Sequence, residues 1–67
     1  MSTRKLSRMI KRLLKERGMS QLQLAEKSGV PQGYISELAA GKKKNPSLEA
    51  LQKLARALGV TVSELLE

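Results

Sequence analysis

Apolar residues recur along this chain at helical spacing and nowhere alternate as strands would. Leu6, Ile10, Leu13 and Leu14 stand at i, i+4, i+7 and i+8 within residues 4–17, one buried stripe on an otherwise charged helix. Gly18 predicts its left-handed stop. Ser20, followed three residues later by Gln23, is a capping box that opens a second helix with Leu24 and Ala25 inward and Gly29 at its end. A third helix begins near Pro31, where a missing first-turn N–H is no loss, turns Ile35 and Leu38 inward and stops at Gly41. Residues 42–46 read as a solvated loop. Ser47 then caps a fourth helix with Leu48, Leu51, Leu54, Ala55 and Leu58 inward and Gly59 as its stop. Thr61 and Glu64 repeat the capping box and open a short last helix bearing Val62, Leu65 and Leu66. The expected fold is all-α, a compact five-helix bundle in one domain over residues 1–67. Its expected core is Leu13, Leu14, Leu24, Ala25, Val30, Ile35, Leu38, Leu51, Leu54, Ala55, Leu58 and Leu65.

The second and third helices are separated only by the short turn Ser28-Gly29-Val30. Two short helices set steeply by such a turn form a helix-turn-helix unit, here about residues 20–40, whose second helix can lie in the DNA major groove. Charge points the same way. Thirteen Lys and Arg against six Glu give a net charge of +7, which favours polyanionic partners, nucleic acid before membrane. Seven of the cations lie within residues 1–18 beside Glu16 alone, and Lys42, Lys43 and Lys44 supply three more. The chain has no Cys, His, Asp, Trp or Phe. Disulfides and thiolate metal sites are thereby excluded, the commonest general base is missing, and the scattered Glu offer no carboxylate pair for hydrolysis. The reading is of a binding protein, not an enzyme, needing neither metal nor cofactor. No apolar run nears the ~18–20 residues that span a bilayer, and no secretory signal opens the chain. Cytoplasm is the default compartment.

Several stretches resemble the phage-repressor-like (XRE, lambda/Cro-type) family of DNA-binding domains. Beyond the helix-turn-helix, Gly41-Lys42-Lys43-Lys44-Asn45-Pro46-Ser47-Leu48 is similar to the family's glycine-basic-Asn-Pro-Ser loop. Leu51-Gln52-Lys53-Leu54-Ala55-Arg56-Ala57-Leu58-Gly59-Val60 is similar to its fourth helix, and Thr61-Val62-Ser63-Glu64-Leu65-Leu66 to its last. The likeness runs over roughly residues 5–66. It implies a lambda-repressor-like fold and sequence-specific binding of duplex DNA by a transcriptional regulator, a repressor acting as a dimer on a palindromic operator. The third helix, about 31–40, is then the recognition helix.

The roles implied transfer position by position. Gln32, Gly33, Tyr34, Ser36 and Glu37 match the base-reading face. Ser20 and Gln21, at the start of the second helix, match a phosphate contact, which free N–H groups at a helix N-terminus favour. Lys42, Lys43, Lys44 and Asn45 match the loop along the sugar-phosphate backbone. Gln32 can pair in bidentate fashion with adenine N6 and N7 and is otherwise a solvated polar residue, and Glu37 can accept from cytosine N4 or otherwise repels phosphates or pairs with a nearby Lys. Tyr34, the one aromatic residue, packs its ring on the core with its hydroxyl aimed at a phosphate, touches a thymine methyl, or packs at the core edge alone. Arg4, Lys5 and Arg8 are the helix-1 cations expected nearest the backbone. The last helix offers Val62 and Leu66 for a two-fold interface. Departures from the family are Gly33, which has no side chain to reach a base; Ala39, where a glutamate is frequent; Pro31 in place of a Ser/Thr cap; and Leu22 at an often polar position. Gly33 costs roughly 1 kcal/mol against alanine inside a helix; close approach to a partner or a tolerated first-turn place would each explain it.

The chain shows no second domain for ligand sensing or cleavage, so it reads as a minimal regulator or as one domain of a longer protein. A rival reading is an antitoxin-like module that neutralises a protein partner through the same fold, for which an exposed Leu22 would be the pointer. A basic amphipathic first helix on a membrane is disfavoured, since its apolar stripe is needed for the core. RNA binding lacks a stacking platform.

Overall fold

The first helix, α1 (Thr3–Glu16), buries Leu6, Ile10, Leu13 and Leu14 in a core shared with α2 (Gln21–Ser28), α3 (Gln32–Ala39), α4 (Leu48–Leu58) and α5 (Val62–Leu66). This is a computed structural model that describes residues 3–43 and 45–67. All regular structure among them is helical. The contacts form a ring: α1 packs on α3 and α5, α2 on α3 and α4, and α4 on α5. At the centre, Leu24, Ile35, Leu54 and Leu65 lose all contact with solvent.

Helix ends follow local chemistry. The Ser20 hydroxyl accepts from the Gln23 N–H at 3.1 Å while the Gln23 amide oxygen accepts from the Ser20 N–H at 2.8 Å. Thr61 and Glu64 repeat the exchange, both bonds 3.1 Å long. Ser47 caps α4 through the Ala50 N–H at 3.1 Å. Each of these satisfies donors that a helix start leaves orphaned. Pro31 stands one place earlier than a first-turn proline, at the N-cap of α3, with no side-chain bond to offer. Gly29, at φ 80°, turns the chain out of α2 into a left-handed conformation that only glycine adopts at little cost.

Two of the expected inward placements change, Leu48 and Ala25, and two alanines of α4 not expected in the core join it. Leu48 is 61% exposed. It is the first residue of α4, and helical side chains lean toward the N-terminus, so this one overhangs the helix end instead of entering the bundle. Ala50 and Ala57 are buried on α4, small residues at the margins of its leucine stripe where only a methyl fits between helices. Ala25 is only partly buried, at the edge of the core it packs against.

Ser7 is the buried polar residue, among those described, that periodicity missed. Its hydroxyl donates to the Ala39 carbonyl at 2.6 Å and ties α1 to the end of α3. The signal was present: Ser7 lies three residues before Ile10, on the flank of the apolar stripe. Ser7→Ala removes the only partner on α1 for this carbonyl, and the expected cost is about 1–3 kcal/mol, read as a lower denaturation midpoint in urea with an unchanged m value.

Candidate nucleic-acid interface

The turn between α2 and α3 is built from three short-range features. The Gly29 N–H bonds the Ala25 carbonyl at 2.9 Å, the Val30 N–H bonds the Ser28 hydroxyl at 3.1 Å, and the Val30 side chain is buried. Together they fix the angle at which α3 leaves α2. Ile35, Leu38 and Ala39 then anchor one face of α3 in the core, which turns Gln32, Gly33 and Glu37 out to solvent. Residues one helical turn apart share a face, so Gly33 and Glu37 stand in line and Gln32 stands in line with Ser36.

The five α3 residues expected to face bases divide into two groups. Gln32, Gly33 and Glu37 are exposed, and no described residue forms an ion pair with Glu37. A Cβ built at Gly33 meets nothing within 4 Å. The free fold therefore gives no steric reason for glycine there. Ser36 and Tyr34, by contrast, are half-buried and engaged within the chain. The Ser36 hydroxyl donates to the Gln21 side-chain oxygen at 2.6 Å, joining the second turn of α3 to the first residue of α2. The Tyr34 ring packs against the core, and its oxygen accepts from the Ser47 N–H at 2.8 Å. The phenolic proton is not used in that bond and is free to donate outward.

Tyr34 also organises the loop after α3. The Lys43 ammonium lies 4.2 Å from the centre of its ring, a cation–π contact. Glu37 contributes its backbone, the carbonyl accepting from the N–H groups of Lys42 at 2.9 Å and Lys43 at 3.3 Å. Lys42 and Asn45 are exposed. Lys44, expected to act with them, lies outside the described residues.

Electrostatics separates available cations from neutralised ones. Glu16 takes up Arg12 at 3.0 Å and Arg17 at 3.8 Å, and Glu49 takes up Lys53 at 3.2 Å. Among the described residues no carboxylate pairs with Lys5, Arg8, Lys42 or Lys43. The Ser7 bond to Ala39 brings the N-terminal half of α1 to the end of α3, and a Cβ at Gly41 would lie 3.9 Å from the Ser7 hydroxyl. The first turns of α1 and the end of α3 that leads into the lysine loop, more than thirty residues apart in sequence, thus adjoin, while Lys5 and Arg8 line a hollow with Met9, Arg12 and Glu67.

The expected two-fold surface on α5 is smaller than the pattern implied. Val62 and Leu66 are both partly buried against the chain's own core. The large apolar side chains left exposed are Leu22, at 53%, and Leu48.

A family model described as helix-turn-helix matches residues 10–65, nearly the whole of this arrangement. The chain belongs to the phage-repressor-like (XRE) helix-turn-helix family. Among its relatives, the HTH-type transcriptional regulator SinR of Bacillus subtilis is 41% identical over 58 residues, covering 87% of this chain and 52% of SinR. The immunity repressor protein of Bacillus phage phi105 is 41% identical over 56 residues, covering 84% of this chain and 38% of the repressor. The chain spans about half the length, or less, of these curated relatives. A crystal structure of SinR in complex with DNA superposes with a TM-score of 0.87 at 39% identity, over 92% of this chain and 98% of that one. This is the lambda-repressor-like fold. Within it, Ala39 fills a buried place. A carboxylate there would need a buried partner; alanine needs none.

Among the described residues no group of acidic, His or Cys side chains is arranged to hold a metal ion, and no helix is long and apolar enough to cross a membrane.

Proposed function

We propose that this chain is the DNA-binding domain of a transcriptional repressor acting in the cytoplasm, one that occludes a promoter by laying α3 in the major groove. The observation that carries the reading is the outward face of α3, with Gln32, Gly33 and Glu37 exposed beside two unpaired lysines, Lys42 and Lys43. Gln32 and Glu37 are the base-reading side chains, for adenine and cytosine. Gly33 lets the backbone come close. Ser20, Gln21, Lys42, Lys43, Lys44 and Asn45 contact phosphates and fix register without reading sequence. Tyr34 holds the loop through Ser47 and offers its remaining proton to a phosphate. A second copy bound on the other half of a palindrome, through α5 and its Val62 and Leu66, places two recognition helices one turn of duplex apart. The SinR–DNA complex and the phi105 repressor support the reading by likeness.

Selection from a random duplex library tests it. A two-fold consensus, bound far more tightly than scrambled DNA, is the expected result. Equal binding to any duplex would reduce the function to charge alone. Lys42→Gln and Lys43→Gln are each expected to lower the slope of log K against log salt by about 0.9, with base preference unchanged. The exposure of Leu22 favours a second reading, an antitoxin-like surface for a protein partner; co-purification of a stoichiometric protein, lost in Leu22→Gln, would support it.

A further inference from the structure

The bond from Ser36 to Gln21 links a residue of the recognition helix to a residue at the N-terminus of α2, fifteen positions apart. Both residues are half-buried, and the bond is short, 2.6 Å, with the hydroxyl donating to Oε1. A carboxamide is planar, with oxygen and nitrogen diverging from one trigonal carbon. Holding Oε1 against Ser36 therefore turns Nε2 and its two protons the other way. That nitrogen makes no bond to any described residue, and it is not a buried unsatisfied atom, so it reaches solvent. An unanchored glutamine at the start of a helix samples several rotamers and both amide orientations, and ordering it on binding costs conformational entropy.

We infer that Ser36 is a positioning residue which presets the Gln21 amide to donate to a DNA phosphate oxygen, an assignment that rests on the DNA-binding function proposed above. Ser36 does not then read a base. Its one hydroxyl proton is spent on Gln21, leaving it no donor for a base, and its helical neighbour Gln32, one turn earlier on the same face, is left to do the reading.

The test is a double-mutant cycle on DNA affinity, using the intact chain, its selected site and a scrambled duplex. Ser36→Ala and Gln21→Ala are each expected to weaken binding to both duplexes by about 3- to 10-fold, the range of one neutral hydrogen bond. The double variant should lose no more than Gln21→Ala alone. The salt slope should not move, because no cation is removed. Ser36→Thr keeps the hydroxyl and should restore binding. Gln21→Glu separates stability from recognition: it keeps an acceptor for Ser36, so melting stays as in the wild type, while a carboxylate facing phosphate lowers affinity beyond Gln21→Ala. Additive losses in the cycle, wild-type affinity in Gln21→Glu, or an altered base preference in Ser36→Ala would each overturn the inference. Failure of the wild-type chain to bind any duplex would instead overturn the DNA-binding function, and this inference with it.

Discussion

Leu54→Ala is expected to lower the melting temperature on the order of 10–40 °C. Leu54 has no solvent exposure, and its helix joins α2 to α5. Deleting three buried carbons costs about 2–5 kcal/mol, transfer energy plus the cavity left behind. A domain of 67 residues has roughly 3–10 kcal/mol of stability in all, and each kcal/mol moves the midpoint by about 4–8 °C at this size. Thermal unfolding followed by far-ultraviolet circular dichroism measures it directly. Leu48→Ala is the matched control. The same atoms are removed from the same helix, but from a side chain already in water, and the change should stay within about 0.5 kcal/mol. Equal losses at the two positions would mean that the core is not organised around α4 as described.

Gln32→Ala is expected to leave melting unchanged while abolishing discrimination at one base pair of each half-site. Gln32 is exposed at the first position of α3, and its side chain makes no hydrogen bond to any described residue. A bidentate amide–adenine pair contributes about 1–3 kcal/mol, roughly 5- to 150-fold in preference over the wrong base. The measurement is a competition series in which each base pair of the selected site is varied in turn. Loss of preference at a single position identifies the base read by Gln32. A uniform loss at every position would place the glutamine on the backbone instead, and Glu37 would then be the one remaining side chain able to read a base from this face.

What could be read from the chain alone was whatever depends on neighbours in sequence. The caps at Ser20, Ser47 and Thr61 each need only a hydroxyl and a residue three places on, and all three form. The apolar stripe of α1 is a property of one helix, so Leu6 and Ile10 are legible too. Leu48 was misplaced because periodicity assigns a face without knowing that a helix end overhangs the bundle. Exposure of Gln32, Gly33 and Glu37 followed from the inward places of Ile35 and Leu38. The engagements of Ser36 with Gln21, Tyr34 with Ser47 and Ser7 with Ala39 did not follow from anything local. Each joins residues thirteen or more positions apart, and such pairs are set by how helices cross, which propensity and spacing do not encode.

Gly33 has a consequence for how this domain can change over time. Proteins usually acquire new specificity against the resistance of their own packing, because most substitutions destabilise. At this position there is no such resistance: the backbone is ordinary helix and the space above it is open. Any residue other than proline can be installed there with the fold unchanged or slightly strengthened, since glycine is the weakest helix former among the rest. A side chain added at Gly33 would emerge beside Gln32 and Glu37, in the middle of the surface proposed to meet DNA. The domain thus holds a site where mutation is screened by recognition alone. One codon offers a short evolutionary path, or a one-position library, to a different target.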